Sequence, residues 1–348
     1  MKKNRRYLLL LPLLILGLYS CAEEQYTPTP YALDLPSHFS EPKIPFDNPL
    51  TVEGVALGRK LFYDPILSGD FTQSCSSCHQ QSLSFAEATA VSTGITGAQG
   101  NRNAMPLINL AYHNRLFWDG RAFSLEEQLL EPVPNAIEMN LPWIVAMDRL
   151  NQHADYPSLF KQAFGSEYID STQVTKALAQ FLRTLISGNS RFDQYILGQA
   201  ALTPQELHGM NLYTTEAADC FHCHPFEERF QFTTFSFMNN GLNKEVEFQD
   251  PGLGGIVANP NLIGAFKVPT LRNIAQTAPY MHDGRFATLQ EVIDHYDMGG
   301  QPSATIDPLM KHVGTGLNLS AQEKEALIAF LLTLTDTEFL SNPAFSAP

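Results

Sequence analysis

The sequence carries the pattern C-x-x-C-H twice, as Cys75-Ser-Ser-Cys78-His79 and as Cys220-Phe-His-Cys223-His224. This pattern is the attachment signature of c-type haem, in which two thiols bond to the haem vinyl groups and the adjacent His binds the iron from its proximal side. A zinc site would need four converging ligands, whereas each motif here ends in its own His. A structural disulfide is also disfavoured, because four of the five cysteines lie in the motifs. The sequence therefore predicts two covalently bound haem c groups, with His79 and His224 on the irons.

The N-terminal segment has the pattern of a secretory signal over residues 1–20. A basic start is followed by an apolar stretch, Leu8 to Leu18, that is too short to span a bilayer comfortably. Leu18-Tyr19-Ser20-Cys21 resembles a bacterial lipobox, in which Cys21 would be lipidated and become the mature N-terminus; an ordinary signal peptide cleaved nearby is the alternative. Residues 21–45, rich in Pro and polar residues, are typical of an extended, lipidated tether. We therefore expect an exported periplasmic or cell-envelope lipoprotein that meets the membrane only through its lipid.

The charge of the chain bears on its partners. The formal net charge is −14, which disfavours nucleic acid as a partner because its phosphate groups would be repelled. Removing the basic signal segment makes the mature form more acidic, and haem propionates would add further negative charge. The charge does not identify a protein partner.

The two halves of the chain repeat a series of short motifs in the same order. Gly58-x-x-Leu61-Phe62 precedes the first haem motif, and Gly209-x-x-Leu212-Tyr213 precedes the second. Further along, Trp118-Asp119-Gly120-Arg121 corresponds to His282-Asp283-Gly284-Arg285. An internal duplication of one haem domain explains these matches together. We therefore predict a mainly α fold with two cytochrome c-like haem domains, an N-terminal one over residues 46–200 and a C-terminal one over residues 201–345.

Local patterns predict some of the helices. Apolar residues recur at helical spacing from Val174 to Ile186 and from Glu325 to Leu334. Thr203-Pro204-x-Glu206 and Ser320-x-x-Glu323 have the pattern of capping boxes that open helices. Residues 238–265 are dense in Gly, Pro and Asn, so this stretch is predicted to be mainly loop.

The chain resembles the bacterial di-haem cytochrome c peroxidases and their methylamine-utilisation relatives, the MauG proteins. The resemblance covers about residues 50–335, and it is carried by several specific stretches in the right order. These are Phe117-Trp118-Asp119-Gly120-Arg121, Leu125-Glu126-Glu127-Gln128, Glu138-Met139, Val268-Pro269-Thr270-Leu271-Arg272-Asn273 and Thr277-Ala278-Pro279-Tyr280-Met281-His282-Asp283-Gly284.

The resemblance implies roles for residues around the first, peroxidatic haem. Gln128 and Glu138 correspond to its distal pair, with Glu138 as acid/base and Gln128 as hydrogen-bond donor, and Pro132 corresponds to a residue of its distal loop. Trp118 corresponds to the tryptophan between the two haems, a route for electrons. The resemblance also implies one interdomain calcium ion, held by residues that correspond to Asn103, Thr277 and Pro279.

The second iron is expected to carry a distal ligand that the first iron lacks. Tyr296 corresponds to the ligand position at which the MauG group carries Tyr and the cytochrome c peroxidases carry Met; Met298 and His295 are the alternatives. The repeat supports this asymmetry, because Tyr296 lies thirteen residues after Asp283 and Pro132, which cannot ligate, lies thirteen after Asp119. Tyr as a ligand would lower the haem potential, and Met would raise it.

The first haem departs from the cytochrome c peroxidase group on its distal side. That group carries a removable distal His sixteen residues after the proximal His, and this chain has Ile95 there. Because Ile cannot ligate, we expect a five-coordinate first haem at rest. The two arginines that follow the repeated Asp-Gly, Arg121 and Arg285, could pair either with haem propionates or with their neighbouring Asp.

Three functions remain in competition. The first is a di-haem peroxidase that reduces hydrogen peroxide to water with electrons from a small periplasmic donor, such as cytochrome c or a cupredoxin. The second is a MauG-like enzyme that oxidises residues of a partner protein, which Tyr296 and Ile95 favour. The third is a non-catalytic electron carrier or haem sensor, which Glu138 and Gln128 disfavour. A homodimer is compatible with each of them.

Overall fold

The computed structural model describes residues 26–226, 230–244 and 249–348, so the predicted signal segment and Cys21 lie outside the described residues. The regular secondary structure of the described chain is almost entirely helical, which confirms the predicted mainly α fold class. Within it, no helix is both long and apolar enough to cross a membrane. The α-helices are α1 (Val52–Tyr63), α2 (Cys75–Cys78), α3 (Leu125–Gln128), α4 (Trp143–Asn151), α5 (Tyr156–Phe164), α6 (Ser171–Arg183), α7 (Arg191–Ile196), α8 (Pro204–Tyr213), α9 (Leu253–Ile256), α10 (Leu289–Asp297) and α11 (Ala321–Leu332). Two short strands, β1 (Phe237–Met238) and β2 (Phe266–Lys267), pair antiparallel, and 3₁₀ turns lie at Pro65–Leu67, Gln81–Leu83, Leu110–Tyr112, Pro260–Leu262, Ile274–Gln276 and Phe339–Ser341.

Each half is built around one close helix crossing. In the first half α1 packs on α6, where Gly58 faces the carbonyl of Ala177. In the second half α8 packs on α11, where Gly209 faces the carbonyl of Ala326. Large apolar side chains fill the space beside each crossing and form two separate hydrophobic cores. The repeated Gly of the sequence therefore marks the same crossing in both halves.

The predicted capping boxes are present at both helices of the second half. Thr203 and Glu206 cap the start of α8, and Ser320 and Glu323 cap the start of α11. The helix predicted from residue 174 begins earlier, at Ser171, because Asp170 caps it. The helices predicted to end at residues 186 and 334 instead end at Arg183 and Leu332.

A threonine follows each of these two helix ends. Thr184 and Thr333 donate their hydroxyls back to the carbonyls of Phe181 (2.7 Å) and Phe330 (2.6 Å). The backbone N–H of each threonine donates to the same carbonyl, at 2.9 Å in both halves, so the threonine closes the end of its helix. The apolar residues beyond the threonines continue the helical spacing of the sequence but lie outside the helices.

The repeated motifs adopt the same local geometry in both halves. Asn109 and Asn273 both have left-handed backbones, with φ of 53° and 56°, and their N–H groups donate to the carbonyls of Leu185 (2.9 Å) and Leu334 (3.0 Å). Ser124 opens α3 and Thr288 opens α10, and each caps the N–H three residues on. This agreement is what an internal duplication predicts.

The first and last segments of the described chain pack on the body of the protein. Residues 26–45 form no helix and are held in place: Phe39 is buried, and His38 donates to the buried carboxylate of Asp193 at 2.9 Å. The sequence places the end of the second domain at residue 345. In the structure Phe339 and Phe345 instead belong to the hydrophobic core of the first half. The chain therefore crosses back to its first half after Leu334.

Candidate haem sites

The first motif forms α2, and His79 follows it as the C-terminal cap. The Nδ1 atom of His79 lies 2.8 Å from the carbonyl oxygen of Phe85, to which it can donate. That bond leaves Nε2 as the atom that can bind iron. Burial lowers the pKa of His79, which favours the neutral ring that a metal ligand needs. A tight loop carries the carbonyl, with left-handed backbones at Ser84 (φ 57°) and Phe85 (φ 57°).

The second motif repeats this arrangement. His224 Nδ1 lies 3.0 Å from the carbonyl oxygen of Phe232, and Phe232 also has a left-handed backbone, with φ of 53°. The hydroxyl of Tyr213, the last residue of α8, donates to the carbonyl of His224 and so ties the end of the motif to that helix. Burial lowers the pKa of His224 to about 4. Both proximal histidines are therefore neutral and oriented by a backbone carbonyl.

The four motif cysteines form no disulfide with one another and are partly buried. Burial raises the pKa of Cys75 and Cys220 to about 12 and that of Cys78 and Cys223 to about 11. They are therefore neutral thiols in a largely apolar setting. Such a setting suits thioether bonds to a porphyrin and does not suit a thiolate metal site.

A cavity of about 230 Å³ lies beside the second motif, with Cys220, Cys223 and His224 on its wall. Pro269, Leu289 and Ile293 give this wall an apolar surface. A haem c fits this site, because its thioether partners and its proximal ligand converge on one apolar space. Bound there, the group would be held by the two thiols and by His224.

Tyr296, on α10, lines the same cavity. Its phenol oxygen accepts a hydrogen bond from Asn240 Nδ2 at 3.1 Å. Burial raises the pKa of Tyr296 to about 12 in the absence of a metal ion. Met298 is 65 % exposed, and neither it nor His295 lines the cavity. Of the three candidate distal ligands, Tyr296 is therefore the one that lines the cavity.

Glu138, the candidate acid/base of the first site, lies on the loop that follows α3. Glu138 is partly buried, and Asn135 Nδ2 donates to its Oε1 at 2.6 Å. Burial raises the pKa of Glu138, and the Glu138 charge contributes to the raised pKa of Cys75, so the carboxyl lies near the first motif. Ile95 lies next to Glu138, because the Ile95 N–H donates to the Glu138 carbonyl at 3.0 Å.

Gln128 and Pro132, the other two residues predicted at the first distal pocket, have fewer hydrogen bonds than Glu138. Gln128 ends α3 and is partly buried, and its amide makes no hydrogen bond with any residue in the described part of the chain. Pro132 is partly buried, and its carbonyl accepts the N–H of Met139 at 3.3 Å. Within the described part of the chain, the Gln128 amide therefore has donor groups that no other residue occupies.

Trp118 belongs to the first half but lines the cavity of the second site. Its indole N–H donates to the carbonyl of Asn103 at 2.9 Å, and its own carbonyl accepts the N–H of Lys267 at 2.8 Å. His282, the equivalent residue in the repeat, lines the same cavity and stacks on Phe266 with ring centroids 3.6 Å apart. Both repeat positions therefore lie at the junction of the two halves.

The three candidate calcium ligands all line this cavity. Asn103 Nδ2 donates to the carbonyls of Thr89 (3.1 Å) and Ala90 (3.2 Å), which leaves its Oδ1 available to a cation. Calcium prefers such oxygen ligands. Across residues 26–226, 230–244 and 249–348, a different cluster has metal-ligand spacing: Glu216, Asp219 and His222. Lys311 already pairs with both of its carboxylates.

Arg121 and Arg285 both pair with the neighbouring Asp. Arg121 contacts Asp119 at 3.1 Å, and Arg285 donates to Asp283 at 2.8 Å through Nε. Arg102 also contacts Asp119 at 2.5 Å. Of the two predicted partners, each arginine therefore pairs with its neighbouring Asp. A contact with a haem propionate would come in addition to this ion pair.

Lys267 is a residue of the second site that no sequence motif predicted. It is 2 % exposed, lines the cavity, and lies 2.5 Å from both His113 Nδ1 and the carbonyl oxygen of Arg115. Burial lowers the pKa of Lys267 to about 7. A Lys within the apolar run Ala265-Phe266-Lys267-Val268 was the signal that could have identified it.

The fold and these two sites define a di-haem c-type oxidoreductase. The family of di-haem cytochrome c peroxidases matches residues 52–201. The methylamine utilization protein MauG of Methylorubrum extorquens is 39 % identical over 295 residues, covering 83 % of this chain and 80 % of that protein. The cytochrome-c peroxidase IdrP1 of a Pseudomonas species is 35 % identical over 323 residues, covering 85 % and 84 %.

Solved structures with a similar fold come from the same kinds of protein. A MauG-like protein associated with microbial copper homeostasis has a TM-score of 0.84 and 39 % identity, covering 91 % of this chain and 99 % of that one. The di-haem peroxidase BthA of Burkholderia thailandensis has a TM-score of 0.73 and 25 % identity, covering 86 % and 91 %. The chain belongs to the di-haem cytochrome c peroxidase family, which includes the MauG proteins. Membership implies two haem c groups.

Proposed function

We propose that this chain reduces hydrogen peroxide to water at the first haem, with electrons that reach it from a protein partner through the second haem. The observation that carries the proposal is the asymmetry of the repeat. Tyr296 faces the second haem cavity, whereas its counterpart Pro132 cannot bind a metal. The proposal assigns peroxide chemistry to the His79 side and electron relay to the His224 side.

Bound haem would supply each site with an iron that exchanges single electrons, and at the first site an iron face open to peroxide. Glu138 is the acid/base in this proposal. Because burial raises its pKa, the carboxyl holds a proton nearer to neutral pH than an exposed Glu does. Asn135 occupies Oε1, so Oε2 is left to move a proton between the two oxygens of peroxide. The Gln128 amide would donate to the peroxide.

Trp118 is the proposed bridge for electrons between the sites. It is 8 % exposed, and hydrogen bonds at both its indole and its backbone fix its position. Its place on the wall of the second cavity supports this role.

The leading candidate for the electron source is a small redox protein, such as a cytochrome c or a cupredoxin. The second candidate is a protein whose own residues are oxidised, as the methylamine utilization relatives suggest. Tyr296 in the second cavity favours this second candidate, because an anionic ligand lowers the haem potential and makes the iron a poorer acceptor of electrons from a cytochrome.

The test uses holoprotein that carries both haems. We expect a high-spin ferric signal from the first haem at rest, and consumption of peroxide with reduced cytochrome c or cupredoxin. Glu138→Gln should abolish peroxide consumption and leave the haem content intact. Glu167→Gln, at an exposed carboxylate paired with Lys161, is the control. A purely low-spin resting spectrum, or full activity of Glu138→Gln, would contradict the proposal.

The two electron sources give different results in the same preparation. Rapid oxidation of the small donor on adding peroxide indicates the peroxidase. Poor turnover of every such donor, with optical changes at both haems after one equivalent of peroxide, indicates oxidation of a partner protein. No optical change at all would indicate a carrier or sensor and would overturn the proposal.

The proposal extends to export and to calcium. Lipidation at Cys21 predicts incorporation of labelled fatty acid in the bacterial host and its loss in Cys21→Ser. A calcium ion on Asn103, Thr277 and Pro279 predicts that a chelator lowers activity and that added calcium restores it. Asn103→Ala should weaken that response, and activity that is insensitive to chelation would exclude the ion.

A further inference from the structure

Asn240 donates a hydrogen bond to the Tyr296 phenol oxygen on the wall of the second cavity. Its Nδ2 lies 3.1 Å from that oxygen and 3.5 Å from the Sδ of Met281, and all three residues line the cavity. Nδ2 donates in both contacts. The phenol oxygen therefore accepts a hydrogen bond on the side of the ring where the cavity lies.

The position of Asn240 is fixed from its own backbone. Its carbonyl accepts a hydrogen bond from His295 Nε2 at 3.1 Å, and His295 precedes Tyr296 on α10. The next residue, Gly241, has φ of 68°, and its carbonyl accepts the N–H of Gln301 at 2.7 Å. The backbone of Asn240 is thus tied to the C-terminal part of α10, which also carries Tyr296.

His295 gains a role from this arrangement. It is buried and close to the candidate ligand in sequence, but its ring is committed to the Asn240 carbonyl. His295 therefore positions Asn240, and Asn240 in turn donates to Tyr296.

We propose that Asn240 is a positioning residue that sets how strongly Tyr296 donates to the second haem iron; this rests on the proposed role of Tyr296 as ligand. A hydrogen bond to an anionic ligand oxygen withdraws electron density from it, so the oxygen donates less to the iron. Ferric iron is then stabilised less, and the potential of the second haem lies above the value it would have with Tyr alone. The hydrogen bond makes a tyrosine-ligated haem easier to reduce by an external protein.

Two substitutions separate this role from a purely structural one. Asn240→Leu removes the donor and keeps the approximate size. Asn240→Asp keeps the shape but places a carboxylate, an acceptor, against the phenol oxygen. A structural role predicts that Leu perturbs the site more than Asp. The proposed role predicts that Asp lowers the potential at least as far as Leu. Asn261→Leu, at an exposed position, is the control.

The measurements are the midpoint potentials of both haems and the tyrosinate-to-iron charge-transfer band of the ferric holoprotein. In both Asn240 variants we expect the potential of the second haem to fall and the band to move to longer wavelength, with the first haem unchanged. If the band is present in the wild type, is lost in Tyr296→Phe and does not move in the Asn240 variants, the role of Asn240 is refuted and Tyr296 remains the ligand. If the wild type has no such band, the ligand assignment fails and the inference fails with it.

Discussion

Gly209 passes so close to Ala326 that a methyl group on Gly209 would lie 1.9 Å from the Ala326 carbonyl oxygen, and Gly58 has the same relationship to Ala177. Neither contact can relax by moving a side chain, because the opposing atoms belong to the backbone of α6 or α11. The two crossings hold the helices that precede each haem motif. Gly is therefore required at the same point of both repeats.

Gly209→Ala should destabilise the second half, because α8 must move away from α11 to admit the methyl group. Overpacking of this kind costs about 1–3 kcal/mol. The free energy of unfolding by denaturant, followed through the haem absorbance, measures it. Gly100→Ala is the matched control, since its nearest neighbours would lie 3.7 Å and 3.9 Å from the new carbon. Equal stability of the two variants would show that the crossing has room.

Asp193→Asn should weaken the hold of the N-terminal segment on the second half. Arg272 donates twice to the Asp193 carboxylate, both times at 2.8 Å, and both side chains are fully buried. Losing one partner of a buried pair costs about 3–5 kcal/mol, because the other charge is left uncompensated. Denaturation at pH 7 measures the loss, with Asp34→Asn as the control because Asp34 lies in the same segment and is exposed.

The same pair predicts a pH dependence. Burial alone would raise the pKa of Asp193, but the hydrogen bonds from Arg272 and His38 outweigh it and hold the pKa far below its usual range. Stability from this group is therefore full above the unfolded-state pKa of about 3.9 and is lost as the pH falls below it. Asp193→Asn should flatten the acid limb of the stability curve. An acid limb unchanged by the substitution would count against the pair.

Phe345→Ala should loosen the proximal side of the first haem from the far end of the chain. Tyr63 donates to the Phe345 carbonyl at 2.6 Å, and the Phe345 ring packs on Phe339, which packs on Phe85. The Phe85 carbonyl is the partner of His79. Removing a buried Phe side chain costs about 3–5 kcal/mol.

The first haem should report this loss and the second should not. We expect a lower midpoint of thermal unfolding and a changed iron–histidine vibration at the first haem alone. Phe46→Ala, at a ring that is 99 % exposed, should leave both unchanged. Equal effects on both haems would mean that the tail acts on the whole fold and not through Phe85.

The sequence predicts the parts of this structure whose causes are local. The capping residues Thr203 and Ser320 lie within a few residues of the helices they start, so the pattern was sufficient. The contact of Asn240 with Tyr296 spans 56 residues, and that of Tyr63 with Phe345 spans 282. No periodicity encodes such pairs, because they depend on how loops and a returning tail meet in space. The burial of Lys267 was hidden for the same reason.

Trp118→Phe should slow electron transfer between the haems and leave peroxide access unchanged. Phe keeps an aromatic ring in the space but is harder to oxidise than indole and loses the hydrogen bond to Asn103. The measurement starts from holoprotein treated with one equivalent of peroxide. It follows how fast electrons delivered to the second haem restore the resting spectrum of the first. We expect the rate to fall by roughly tenfold, which corresponds to about 1.4 kcal/mol in the barrier.

The chain supplies a matched control for this experiment in its second tryptophan. Trp143 also donates its indole N–H to a carbonyl, that of Leu130 at 3.0 Å, but it does not line the second cavity. Trp143→Phe should therefore leave the rate unchanged, because it removes the same kind of bond away from the junction of the two halves. If Trp118→Phe relays electrons as fast as the wild type, the route runs elsewhere. His282, stacked on Phe266 at the equivalent point of the repeat, is then the next residue to replace.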